Sequence, residues 1–169
     1  MKLFANIISV VFHPLLMVTY GMLLALSFTY LGIYTPRLKW YLLSGVFLST
    51  VAFPASFIYL MIQGGLVSDL ELTNKRERLF PYLLFLISNA ACLYYLFQMQ
   101  LPSWILSAFA GVCVALFAAL CINFIWKISI HALGTGGLLG AIMGISHIQK
   151  MNPYELLIIV LIIAGLVGT

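Results

Sequence analysis

Six long apolar runs, separated by short polar segments, make up the chain. The first extends from Leu3 to Leu31 behind a lone Lys2, and His13-Pro14 interrupts it. Its length exceeds a signal-peptide core and no small-residue cleavage site closes it, which predicts a retained helix. The second, Trp40 to Ile62, is entered through Tyr34, Trp40 and Tyr41, aromatic residues suited to a headgroup belt. Pro54 inside it predicts a bend. After a polar segment from Gln63 to Leu79 comes the third run, Phe80 to Phe97, and then a short turn from Gln98 to Ser103. Trp104 to Trp126 is the fourth run, ended by Lys127, and Ile130 to His147 is the glycine-rich fifth. A turn over Gln149 to Pro153 leads to the sixth, from Tyr154 onward. A helix crosses the hydrocarbon core in about 20 apolar residues, so each run predicts a span.

The sixth is short. From Glu155 to Thr169 a helix rises about 22 Å, against about 30 Å of hydrocarbon. It stops on Gly168-Thr169 with no charged anchor. The expectation is an incomplete sixth span in a native protein that continues past Thr169. A re-entrant or interfacial final helix is the alternative.

Composition narrows the class. Of 169 residues, 64% are hydrophobic and 7% are charged, where a soluble domain carries roughly 25% charged residues. A water-soluble globule, a disordered chain, a disulfide scaffold and a nucleic-acid binder are excluded. The fold class expected is all-α: one polytopic transmembrane helix bundle of about six spans over residues 1–169, partnered by the lipid bilayer. The expected location is the cell's inner (plasma) membrane. Cys92, Cys113 and Cys121 all fall in apolar runs and read as small buried hydrophobes. No carboxylate–histidine grouping suggests a metal, and Gly134-Thr135-Gly136-Gly137 lacks the partner residues of a nucleotide loop, so no cofactor is expected.

Charges are scarce enough that their positions carry information. One dense cluster holds Asp69, Glu71, Thr73, Asn74, Lys75, Arg76, Glu77 and Arg78, followed by Pro81. Its basic residues could clamp a phosphate, Arg bidentately and Lys as a point charge. A solvated loop that sets topology is the plainer reading. The second feature is Trp126-Lys127-Ile128-Ser129-Ile130-His131, then Gly134, Gly136 and Gly137. A helix N-terminus favours an anion, Ser129 could donate to phosphate, and His131 could act as general acid or base. A capped helix start with an interfacial histidine explains the same residues. Even numbers of crossings separate the two features, so both face one side of the membrane. Gly136, Gly140 and Gly144 form a small-residue ladder suited to close helix packing, homo-oligomerisation included. His13, ahead of a proline, and His147, about 24 Å along the helix from His131, are the weaker histidine candidates.

These residues resemble the type 2 phosphatidic acid phosphatase superfamily, whose motifs are a Lys, six residues and Arg-Pro; Pro-Ser-Gly-His; and Ser-Arg with a nucleophilic His and an Asp. Lys75-Arg76-Glu77-Arg78-Leu79-Phe80-Pro81 is similar to the first motif with altered spacing. Ile128-Ser129-Ile130-His131 is similar to the second, keeping Ser and His. The third would belong past the sixth span. The resemblance implies a metal-independent phosphatase acting on a lipid phosphate through a phosphohistidine. His131 would protonate the leaving alcohol, and Lys75, Arg76, Arg78, Lys127, Ser129 and Gly134 would hold the phosphate. With the nucleophile motif missing, the chain as it stands is expected to be catalytically incomplete. A non-catalytic lipid-binding or assembly member of the same fold is one alternative, and a small membrane transporter another. Lys2, Lys75, Arg76, Arg78 and Lys127 fall on one side and Arg37, Lys39 and Lys150 on the other. Discounting the phosphate ligands reverses that balance, so the positive-inside rule leaves the orientation open.

Overall fold

Helices build every regular element among residues 13–65, 79–126, 128–150 and 154–167, the residues the computed structural model describes. They are α1 (Pro14–Phe28), α2 (Pro36–Gln63), α3 (Leu79–Gln98), α4 (Ser103–Asn123), α5 (Ile130–Gln149) and α6 (Tyr154–Val167). Three of these, α2, α3 and α4, are long and apolar enough to cross a membrane. At 20 residues α5 has the length, but glycines and histidines dilute it. Of the first predicted run, residues 3–12 lie outside the described residues, and both ends of α1 have local causes. Pro14 opens α1 where a missing N–H costs nothing. Thr29 closes it: its hydroxyl donates to the Ala25 carbonyl at 2.7 Å and accepts from the Leu31 N–H at 3.1 Å. One 3-10 turn, Tyr30–Ile33, then leads towards Pro36.

The bend expected at Pro54 takes the form of a π turn, Leu48–Ala52, within α2. A proline ring clashes with the carbonyl four residues before it and offers no N–H. The wider register relieves both, and the Phe53 N–H reaches back to the Leu48 carbonyl. The Ser49 carbonyl is then left without a backbone donor, because Phe53 is engaged and Pro54 has none to give. The Ser88 hydroxyl of α3 donates to it at 2.6 Å.

By their contacts the described residues divide into two compact units, one reaching up to Ser44 and resuming at Ser129, the other Gly45–Ile128. In the second unit α3 and α4 are consecutive helices whose connection turns at Gln100 (φ 53°). Tyr82, Phe85, Asn89, Cys92 and Leu96 form the buried stripe of α3. Their spacing of three and four keeps them on one face. The opposite face is also apolar, with Phe80, Ile87, Tyr94 and Phe97 exposed, which is how a helix bathed in lipid differs from one bathed in water.

In the first unit α1 packs along α5, and α5 touches α6. Met17, Leu138, Ile142 and Val160 are the buried core between them. The pairing runs in register from His13 beside His131, through Pro14 and Met17 at Gly134, to Gly21 at Ala141. Both members of each pair advance together, so α1 and α5 are parallel and their N-termini lie side by side.

Candidate functional site

The start of α5 is built by Ser129. Its backbone is extended (φ −78°, ψ 117°), and its Oγ accepts from the Ala132 N–H at 3.3 Å. This is an ordinary N-cap. The same hydroxyl keeps its own proton to donate elsewhere. Two residues on, His131 sits in the first turn with its Nε2 atom shielded from solvent. Thr135 is buried one turn below, donating to the His131 carbonyl at 2.8 Å.

Across from these lies the start of α1. His13 is its N-cap residue, and its Nδ1 accepts from the Leu15 N–H at 3.4 Å. The rings of His13 and His131 meet edge to face, with centroids 6.0 Å apart and planes inclined by 73°. The close approach depends on Gly134. A Cβ there would lie 3.1 Å from Met17 Cγ and 3.2 Å from Pro14 Cα.

The predicted site residues divide accordingly. Ser129, His131 and Gly134 share the first turns of α5. Lys75, Arg76, Arg78 and Lys127, together with the acidic residues of the cluster, lie outside the described residues. Gly134, which the sequence offered both for packing and for the anion site, has a packing role. The close approach expected at Gly140 and Gly144 falls at Gly134 instead: a Cβ at Gly136, Gly140 or Gly144 would meet nothing within 4 Å among the described residues. His147 lies in the last turn of α5, exposed and remote from His131, as expected.

His13 is the residue that sequence reasoning underrated. One signal pointed to it: a polar residue directly before a proline in an apolar run is the pattern of an N-cap followed by Pro at the first helical position. What the sequence could not supply was its neighbour, some 118 residues further along the chain.

No protein-family model, curated protein or solved structure matches the chain. The case for its chemistry rests on these residues alone.

Proposed function

We propose that the chain is an integral-membrane phosphatase-like protein of about six spans in the inner (plasma) membrane. Its substrate is a lipid phosphate or prenyl diphosphate. The observation that supports this most is the pairing of His131 and the Ser129 cap with a second histidine at the adjacent, parallel helix start. Parallel packing also suits six alternating spans: four crossings separate the starts of α1 and α5, which brings both to one membrane face. The Lys75–Arg78 segment, two crossings after the first helix start, would belong to that face too.

In this reading phosphate oxygens are held by the Ser129 hydroxyl with Lys75, Arg76, Arg78 and Lys127, and charge stabilisation lowers the barrier. The nucleophile is the histidine of the third motif, which the resemblance implies and residues 1–169 do not carry; its nitrogen forms a bond to phosphorus as the phosphorus–oxygen bond to the alcohol breaks. His131 gives its proton to the departing oxygen, and water then cleaves the phosphohistidine.

The test uses the protein made from its own gene and extracted in detergent. Phosphate release is followed from phosphatidic acid and from a prenyl diphosphate. General acid catalysis contributes roughly 100-fold or more, so His131→Ala should reduce turnover by at least that factor. Wild-type protein that releases no phosphate, or a His131→Ala variant as active as wild type, would overturn the proposal.

A further inference from the structure

The mechanism above uses one of the two histidines that meet at the helix starts. The other is placed by two elements at once: its Nδ1 is tied to the start of its own helix, and its ring packs edge to face with that of His131. The first contact sets its hydrogen. A nitrogen that accepts from an amide carries no proton, so a neutral His13 carries its proton on Nε2 and presents an N–H donor. A zinc-type role is disfavoured by the same contact. An imidazole that ligates a metal through Nε2 keeps its hydrogen on Nδ1 and donates it to an outer partner, whereas the Nδ1 of His13 accepts. What remains is a fixed neutral donor beside the general acid, which is a group complementary to an anionic oxygen.

We propose that His13 is a second phosphate-binding residue, donating from Nε2–H to an oxygen of the phosphate monoester that His131 serves. This rests on the phosphatase reading and extends it. The histidine pair spans the first and fifth helices, so substrate contact would couple the α1 and α5 starts, with Gly134 setting their separation. The recognised chemistry is a phosphoryl group, whether on a lipid or free.

Residues 1–169 hold three histidines, His13, His131 and His147, few enough that single substitutions tell their ring signals from that of the nucleophile the phosphatase reading requires. The full protein is labelled with nitrogen-15 at histidine, and the ring signals are assigned from single substitutions. In detergent at fixed pH and ionic strength it is titrated first with inorganic phosphate and then with short-chain phosphatidic acid. Saturable shifts at His13 and His131 with one common Kd, and none at His147, are expected. A response to both probes identifies the phosphoryl group itself as the ligand; a response to phosphatidic acid alone identifies the lipid headgroup. His13→Asn keeps a preferred N-cap residue while removing the Nε2 donor, and should weaken binding about tenfold with helix content unchanged. Shifts at His131 without His13, or an unaltered Kd in His13→Asn, would overturn the role of His13 and leave the phosphatase reading standing. If no histidine responds to either probe, the phosphate site itself fails, and the phosphatase reading with it.

Discussion

Replacing Gly134 by alanine tests the packing that brings the two histidines together. The added Cβ would stand 3.1 Å from Met17 Cγ, 3.2 Å from Pro14 Cα and 3.3 Å from Pro14 Cβ. Carbon atoms settle at about 3.5–4.0 Å, so several tenths of an ångström must be found. Met17 can swing its side chain. Pro14 cannot, because its Cα belongs to the backbone at the start of α1, and the whole helix end must shift. Overpacking of this kind costs about 1–3 kcal/mol. Against it, alanine in a helix interior gains roughly 0.5–1 kcal/mol over glycine. The net expectation for Gly134→Ala is a loss of about 1 kcal/mol. Gly140→Ala on the same helix is the control: its Cβ meets nothing within 4 Å among the described residues, so only the backbone gain of roughly 0.5–1 kcal/mol remains. The backbone contributions cancel between the two variants, and their difference, about 1–3 kcal/mol, isolates the contact with α1. Unfolding by SDS in mixed micelles, followed by circular dichroism, measures both. Equal stabilities for the two variants would refute the close approach of α1 and α5 at this point.

Two further substitutions examine the local structure. Ser88→Ala removes the donor to the Ser49 carbonyl that the π turn and Pro54 leave without a backbone partner. Hydrogen bonds between membrane helices average about 0.6 kcal/mol and reach about 1.7 kcal/mol; the upper part of that range is expected, read by the same SDS titration, since the carbonyl has no alternative backbone donor. Ser129→Ala removes the cap of α5 and should cost about 1 kcal/mol, while Ser129→Asp, another preferred cap, should recover most of it. Stability recovered without phosphatase activity would separate the capping role of Ser129 from the phosphate-binding role proposed for it.

Much of the helical layout is legible in the sequence, because it follows from length and solvent. An apolar run of about 20 residues has to satisfy its backbone internally in lipid, and a helix does so within the run itself. The predicted third run, Phe80 to Phe97, and the observed α3, Leu79–Gln98, therefore nearly coincide. So do the predicted and observed starts of the fifth helix, at Ile130. The cap at Ser129 and the irregularity near Pro54 are local effects of single residues and were readable too. The partner of each helix was not. Both faces of these helices are apolar, so hydrophobic pattern does not say which stripe turns inward, and a glycine ladder at Gly136, Gly140 and Gly144 does not name the helix it meets. Only the tertiary structure put the close approach at Gly134, where Pro14 of another helix needs the space. The same holds for the histidines. Sequence marked His13-Pro14 as an interruption in an apolar run and put His131 at the start of a helix. That the two helices run parallel with their starts together, so that the rings meet, depends on packing between distant segments, and no local property of either segment encodes it.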